Sequence, residues 1–431
     1  MLSPQQAVDQ VREMVKVRDA EKARLDLLHE YVRDKQPLWW LPKGAPHEVN
    51  MLARSARVNV LGFVVDSISQ ALFVDGYDSV RDPDPVWGVW QANRLDSRQV
   101  AVHRAAETFG SSYGTVLPGD TGPVVRGVGP RQMTAVYGQD DDWPMWALES
   151  RRTDVGRMWR LFDQDHTYWV GEEKRGDYGP AELEFITFET HGMGVCPVVR
   201  FLPEQDVEDD IVGSVEPLIH LQDQVNVTTF GMLVAQHYGA FRQRYILGWL
   251  AETEQQKLQA SAAKVWSFED PEVKVGEFEQ TDLGGFIEGR EATLRHIATV
   301  SQTPVHELLG TLANLSAEAL VAARHSSDRK AGVREVSYGE SWEQLLEQAA
   351  VLSGLPRDVS ASVRWKDTTA RSLAQVADAL GKIASQLHVP AEALWEMIPG
   401  MDEQKLGRWK EMAQEADAFA GLRDVMDRMG A

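Results

Sequence analysis

Apolar residues recur at helical spacing from Phe286 onward, with one interruption. The first run predicts a helix over 286–301, with an apolar face formed by Ile287, Leu294, Ile297 and Val300. Thr303-Pro304 ends this run, because proline lacks a backbone N–H and disfavours the α conformation of the residue before it. Gly310 lies in the short apolar segment that follows. We therefore expect residues 303–315 to continue neither flanking helix.

A much longer helical pattern follows this interruption. Ser316 is a suitable N-cap residue, and no proline occurs between Ala317 and Leu352. A helix over that span is about 54 Å long, since each residue adds about 1.5 Å. A helix of this length is too long to form one side of an ordinary small domain. It indicates a protein that is extended or that assembles with other copies.

The N-terminal half combines helices with a later series of strands. Helices are predicted over 3–35, 56–73, from about 84, and over 96–109, and the first of them is capped by Ser3. Between Gly110 and Thr190 short alternating segments are separated by turns, which is typical of antiparallel sheet, and Pro197–Pro203 forms a last strand. Residues 1–205 are thus predicted to form an α+β domain.

The C-terminal half is built mainly of helices. A long helix is predicted from about Ile211 to Phe241, after the acidic linker Glu204–Asp210. Residues 242–285 resemble a compact inserted module with strands and a short helix at 253–263. One further strand, 360–367, precedes helices predicted at 370–387, 391–398 and 402–429.

Composition limits the classes of function. The 431 residues carry a formal net charge of −21, which argues against a protein that grips nucleic acid by neutralising its phosphates. The charge is compatible with a protein that surrounds nucleic acid, and also with plain solubility. The single cysteine, Cys196, excludes an intramolecular disulfide and reads as a packing residue. The N-terminus has the pattern of an amphipathic helix and not of a signal peptide, and no apolar run predicts a membrane span.

Motifs of catalysis and of metal or cofactor binding are missing. The sequence contains no phosphate-binding glycine loop and no C-x-x-C pair. His306-Glu307 begins like a zinc-protease motif, but the second histidine is absent. Asp140–Asp142 reads as a solvated turn, and His296 and His306 read as surface or channel groups. We therefore expect neither an enzyme nor a cofactor.

The order of these parts resembles the portal proteins of tailed bacteriophages, in the branch typical of long-tailed phages. The resemblance covers about residues 10–400 and consists of loose patterns whose order along the chain is specific. The stretches that carry it are ARVNVLGFVVDSISQALFVDGY (56–77), WQANRLDSRQVAVHRAAETFGSSYGTV (90–116), EPLIHLQDQVNVTTFGMLVAQHYGAFRQRYILG (216–248), GGFIEGREATLRHIATVSQTPVHELLGTLANLSAEAL (284–320) and VRWKDTTARSLAQVADALGKI (363–383).

The resemblance implies a portal fold, with long helices around the central channel of a ring that is usually a dodecamer. Its parts are assigned as the wing (1–205), a first stem helix (206–241), the clip (242–285), a second stem helix (286–302), the tunnel loop (303–315), a long wing and crown helix (316–354), and a last wing strand with crown helices (355–431).

The resemblance also implies particular site residues. The tunnel loop would face DNA through Thr303, Pro304, Val305, His306, Glu307, Leu308, Leu309, Gly310 and Asn314. The channel lining of the second stem helix would include Glu288, Arg290, Glu291 and Arg295. The clip would contribute Arg242, Arg244, Tyr245, Trp249 and Trp266. The charged members of the lining are mixed in sign, so the channel need not be uniformly negative.

The implied function is a ring at one capsid vertex through which a terminase motor packages double-stranded DNA, and through which the DNA is later ejected. Implied partners are further copies of the chain, DNA, the terminase large subunit, a head-completion or neck adaptor protein, and the major capsid and scaffolding proteins, with no membrane. The protein would assemble in the host bacterial cytoplasm and reside in the virion. Two alternatives stay open: a ring or scaffold component that conducts no DNA, and a hydrolase of unknown class.

Overall fold

The computed structural model describes most of the chain as two compact units. The described residues are 1–80, 84–138, 142–154, 156–174, 181–239, 244–247, 274–277, 282–310, 317–366, 373–398, 401 and 405–413. The first unit, here called the sheet unit, comprises residues 1–22, 68–212 and 331–431. The second, the helical unit, comprises residues 23–67 and 213–330. No described helix is long and apolar enough to cross a membrane.

The helices, numbered in chain order, are α1 (Pro4–Val32), α2 (His47–Ser55), α3 (Val60–Ala71), α4 (Asp84–Ala92), α5 (Leu95–Phe109), α6 (Ile219–Gly239), α7 (Gly284–Ser301), α8 (Val305–Leu309), α9 (Ala317–Leu352), α10 (Leu373–Leu387) and α11 (405–413). Short 3₁₀ helices occupy Glu216–Leu218 and Ala391–Met397. The 36 residues of α9 coincide with the long helix predicted from the sequence.

The strands are β1 (Val74–Asp78), β2 (Ser112–Leu117), β3 (Val124–Val128), β4 (Met133–Tyr137), β5 (Pro144–Arg152), β6 (Gly156–Phe162), β7 (His166–Lys174), β8 (Ala181–Thr190), β9 (Val198–Phe201), β10 (Arg244–Leu247), β11 (Lys274–Glu277) and β12 (Ser362–Trp365). Every pairing among them is antiparallel, which confirms the antiparallel sheet predicted between Gly110 and Thr190. Helices and antiparallel sheets in one chain confirm the α+β class.

Three sheets form the framework of the sheet unit. Strands β4 to β8 form a five-stranded meander, while β3, β2 and β9 form a three-stranded sheet in that order. Strand β9, the last one predicted in the N-terminal half, does not pair with its sequence neighbour β8. It pairs with β2, with Ser112 opposite Phe201. Strand β12 pairs with β1, so residues near 364 return to residues near 76.

Apolar clusters hold these sheets in place. Trp90, Phe201, Tyr338 and Trp342 belong to one large cluster, in which the C-terminal half of α9 takes part. In another, the first turns of α1 pack against Trp159 and its neighbours on the five-stranded sheet. The start of α1 carries the predicted cap: Gln6 N donates to Ser3 Oγ at 3.3 Å, and Ser3 N donates to Gln6 Oε1 at 2.9 Å.

The long helix α6 organises the helical unit through buried polar side chains. Gln222 Nε2 donates to the carbonyl of Val58 at 2.7 Å, and Asn226 Oδ1 accepts from the Val58 amide at 3.1 Å. Both side chains are buried, so these bonds satisfy backbone groups that water does not reach. They attach the segment that leads into α3 to the middle of α6.

Several predicted boundaries require correction. Helix α6 begins at Ile219 and not near Ile211, because Gly213 and Pro217 precede it and the segment up to Val215 is irregular. Helix α2 was not predicted at all, and residues 391–397 form a 3₁₀ helix in place of the predicted α-helix. In the insert, β10 pairs with β11, whereas the predicted helix at 253–263 lies outside the described residues.

Candidate functional site

The end of α7 is the most sharply defined feature of the predicted channel segment. Gln302 adopts the left-handed conformation, with φ 58°, and its amide bonds to the carbonyl of Thr299. The amide of Thr303 donates to the carbonyl of Ala298 at 3.0 Å. These two bonds form a Schellman motif, with glutamine at the position that glycine usually occupies. The helix therefore stops before Pro304, at the interruption that the sequence predicted.

A cation supports this helix end. Lys330 of α9 donates from Nζ to the carbonyl of Ser301 at 3.1 Å and to Ser214 Oγ at 3.0 Å. A positive charge at a helix C-terminus is favourable because the last carbonyls carry partial negative charge. Lys330 was not predicted from the sequence, since no local pattern links a lysine on one helix to the carbonyl of a residue 29 positions earlier.

The short helix α8 follows directly. Pro304 has φ −58° and ψ 125°, and α8 then spans only Val305–Leu309 before Gly310, which is left-handed with φ 66°. The α8 side chains are exposed or half-buried, and Val305 is 39% exposed, whereas Thr303 and Pro304 are buried. Residues 311–316, which include Asn314, lie outside the described part of the chain.

Glu307 attaches α8 to its surroundings. Its Oε1 accepts from Arg324 of α9 at 3.3 Å, and its Oε2 accepts from Ser67 Oγ of α3 at 3.5 Å. The side chain is 25% exposed, and that of Arg324 is 44% exposed. Glu307, predicted only as a channel-facing acid, thus also holds α8 in position, and Arg324 partly neutralises its charge.

The predicted stem charges do not share one side of α7, because Arg290 lies on the face of the buried Leu294 and Ile297 and its Nε is buried. Leu294, Ile297 and Ala298 form the buried side, whereas Glu288 and Arg295 are exposed, and Arg290 and Glu291 are half-buried. Arg295 forms an ion pair at 2.9 Å with Glu291, one turn earlier on the same helix. Glu288 has no cationic partner in the described part of the chain. The structure therefore brings two of the four predicted charges together.

The predicted clip residues are only partly placed. Arg244 and Tyr245 lie on β10, opposite Glu277 and Gly276 of β11. Arg242, Trp249 and Trp266 lie outside the described residues.

The described residues contain no group of three metal-ligand side chains. Cys196 is free and fully buried, and burial raises the pKa of its thiol far above the usual value, so the thiolate nucleophile is disfavoured. His103, also fully buried, has its pKa lowered by burial to about 3 and accepts a hydrogen bond from Trp342 Nε1 at 2.9 Å. Both residues read as packing groups of the sheet unit.

One known protein family matches this chain over most of its length. The family model described as "Phage portal protein, SPP1 Gp6-like" matches residues 14–418. The chain belongs to the phage portal protein family. Two mycobacteriophage portal proteins are similar to it: that of phage D29 is 26% identical over 416 residues, covering 89% of this chain and 84% of the relative, and that of phage L5 is 25% identical over 429 residues, covering 88% and 83%.

Chains in solved structures of gene transfer agent particles share the fold. The neck of the native gene transfer agent particle, computed with C12 symmetry, aligns with a TM-score of 0.53 at 14% identity. The virion of the native gene transfer agent particle aligns with a TM-score of 0.53 at 15% identity. Each alignment covers 83% of this portal chain and 95% of the other chain. The predicted portal fold and the predicted membership of the tailed-phage portal family are thereby confirmed.

Proposed function

We propose that this portal protein assembles into a closed ring at one capsid vertex, and that double-stranded DNA is packaged and later ejected through the central channel. The observation that carries the proposal is the family match over residues 14–418. The ring, usually of twelve copies, would be driven by a terminase motor and would dock a neck adaptor at one end. Capsid and scaffolding proteins would contact its outer face, and the assembled ring would remain in the virion. The portal itself has a structural role and no catalytic one.

The wing, stem, clip, tunnel-loop and crown boundaries given above are part of this proposal. The interruption at Gln302–Gly310 supports a tunnel loop at 303–315, because it produces a short, partly exposed segment between two long helices. The antiparallel pair of β10 and β11 between α6 and α7 supports a clip at 242–285 that docks partners.

The charges of the channel segment are compatible with a channel lining along which DNA moves without binding tightly. Arg295 is engaged with Glu291, and Arg324 with Glu307, so neither guanidinium is available as a strong phosphate clamp. Glu288, which has no cationic partner among the described residues, would be repeated once per subunit and would repel phosphates. With Arg290 counted, the segment carries three acidic and three basic side chains, and without a net positive charge it binds DNA weakly, because affinity for DNA grows with the number of phosphates that a protein neutralises.

The first experiment is mass photometry with axial negative-stain images of the purified chain. We expect a ring many times the 48.2 kDa of one chain. A monomer with divalent-dependent hydrolysis would favour the hydrolase alternative, and a ring that fails to support packaging with its motor would favour the non-conducting ring.

The channel assignment is tested by reversing the charge of Glu288. Glu288→Lys should leave ring formation intact and slow packaging. The variant ring should also retain DNA, and this binding should weaken as salt rises. For each phosphate contacted, the slope of log affinity against log salt concentration should become more negative by about 0.9. The matched control is Glu184→Lys on β8, an equally exposed acid in the sheet unit. Equal behaviour of the two variants would contradict a channel position for Glu288.

The clip assignment is tested by replacing residues 246–282 with a short linker. We expect loss of partner binding and impaired ring contacts. Normal rings that still package DNA would show that the insert is not the clip.

A further inference from the structure

A groove of about 680 Å³ runs between α5 and β3 in the sheet unit. The α5 positions that line it lie on one side of the helix, and the β3 positions belong to the edge strand of the three-stranded sheet. Apolar side chains form much of the lining, with one arginine at each side: Arg98, Ala101, Val102 and Ala105 on α5, and Val124 and Arg126 on the face of β3 opposite to the one that packs against α5.

Part of the β3 edge is open. Among the strands that the structure describes, β3 pairs only with β2. The side chain of Asn93 occupies the first half of the other edge, accepting from the Val125 amide at 2.9 Å and donating to the Pro123 carbonyl at 2.9 Å. Gly127, two residues beyond Val125, also directs its amide away from β2, because hydrogen-bonding directions alternate along an antiparallel strand. Gly127 is exposed, so the groove offers free backbone groups as well as apolar surface.

The two arginines carry the electrostatic character of the groove. Arg98 and Arg126 are both exposed, and neither has an acidic partner within the part of the chain that the structure describes. Unpaired cations beside an apolar lining, in a chain of net charge −21, suit a ligand that combines apolar and acidic groups.

The same chain presents such a ligand. Residues 206–210 form an acidic turn, in which the Asp209 amide donates to the Asp206 carbonyl at 3.2 Å and the Glu208 amide donates to Asp206 Oδ1 at 2.7 Å. Val207 lies in this turn with 102% relative exposure. The carboxylates of Glu208, Asp209 and Asp210 are exposed and have no cationic partner in the described ranges.

We infer that the acidic turn 206–210 of a second copy of this chain docks in the groove between α5 and β3. Val207 enters the apolar lining, and the neighbouring carboxylates face Arg98 and Arg126. One copy supplies the turn and the next supplies the groove, so the contact is heterologous and propagates around a closed ring. The inference rests on the proposed ring and adds the side chains that join its subunits.

The first test is a cross-link. Ala101→Cys combined with Val207→Cys should give, under mild oxidation, a ladder of disulfide-linked multimers on a non-reducing gel. The control pairs Ala101→Cys with Val359→Cys, since Val359 is 91% exposed elsewhere in the sheet unit. The buried native Cys196 is present in every variant. Only monomers, only intramolecular cross-links or only dimers would overturn the inference.

The second test is a charge swap, with ring formation followed by mass photometry over a range of subunit concentrations. Arg98→Glu with Arg126→Glu should raise the concentration for half-assembly by about tenfold or more, as should Glu208→Arg with Asp210→Arg. The four changes combined should restore assembly. Asp209 is left unchanged because its φ of 60° disfavours most side chains.

The outcomes separate the two proposals. If the unmodified chain forms no ring, the proposed function fails. If it forms rings and the swaps have no effect, or if only the groove variants weaken assembly, the docked-turn inference fails while the ring stands. If only the groove variants weaken assembly, a segment other than the acidic turn 206–210 occupies the groove. Unchanged thermal unfolding of each variant excludes a folding defect as the cause.

Discussion

Residues 331–352 of α9 lie in the sheet unit and are largely buried, whereas the described side chains from Ala322 to Lys330 lie in the helical unit and none is buried. Tyr338, Trp342 and Leu345 in the first segment have almost no exposed surface. One helix thus serves as a core element along one part of its length and as a carrier of surface polar contacts along the other.

The ion pairs of the two segments show what this difference means. Arg334 donates to Glu107 at 2.9 Å, where the carboxylate is fully buried, and Tyr338 donates to the same oxygen at 2.9 Å. Arg324 and Glu307 lie at 3.3 Å but are both partly exposed. Water solvates the separated charges of the exposed pair, whereas the buried carboxylate has only its protein donors. Similar distances therefore correspond to very different costs of disruption.

The largest effect is expected from the buried pair. Arg334→Met should lower the free energy of unfolding by about 3–5 kcal/mol, because the buried Glu107 carboxylate loses the counter-charge of Arg334. Urea unfolding at one fixed protein concentration measures it. Adding Glu107→Gln should recover part of the loss, because the buried side chain is then neutral. A loss below about 1 kcal/mol would show that the carboxylate is solvated, and the comparison would fail.

The buried histidine beside this pair predicts a pH effect. Burial lowers the pKa of His103 to about 3, whereas an unfolded histidine titrates near 6.5, so the unfolded state binds the extra proton between these values. The contribution of neutral His103 to the free energy of unfolding should be fully present above pH 6.5 and should decline as pH falls below 6.5. The decline between pH 6.5 and 5 should shrink in His103→Gln, which retains an acceptor for Trp342. Thermal unfolding across that range checks it, and an unchanged slope would contradict it.

A smaller effect is expected at the end of α7. Lys330→Met removes the charged donor from the Ser301 carbonyl and should cost about 1 kcal/mol. Hydrogen exchange at the amides of Gln302 and Thr303 should accelerate, because these amides close the helix end. Arg329→Met, on the exposed surface one residue earlier, is the matched control and should leave both amides unaffected.

The smallest effect is expected at the exposed pair. A double-mutant cycle with Arg324→Met and Glu307→Gln should give a coupling energy of about 0.2–1 kcal/mol that decreases with added salt. The same cycle at Arg334 and Glu107 should give a larger value that salt hardly changes. Equal coupling at the two sites would remove the distinction between the segments of α9.

Much of the secondary structure followed from local rules. The absence of proline between Ala317 and Leu352 and the presence of Pro304 predicted where α9 extends and where α7 stops. Pro217 also marks the late start of α6, because proline is favoured in the first turn of a helix, although the predicted boundary did not use it. The site was predicted less well, because the side chains that fix it, Lys330 and Arg324, lie on another helix.

What the sequence by itself determined was the periodicity of the chain: the helix of 36 residues, its interrupted neighbour, the antiparallel strands and the order of parts that identifies the portal family. Only the tertiary structure decided that β9 pairs with β2, that Glu107 is buried against Arg334, and that Glu307 is held by Arg324. Local patterns depend on backbone geometry within a few residues, whereas these contacts join residues 17 to 227 positions apart. Which of them form depends on how the packed elements share one core, and no short window of sequence contains that information.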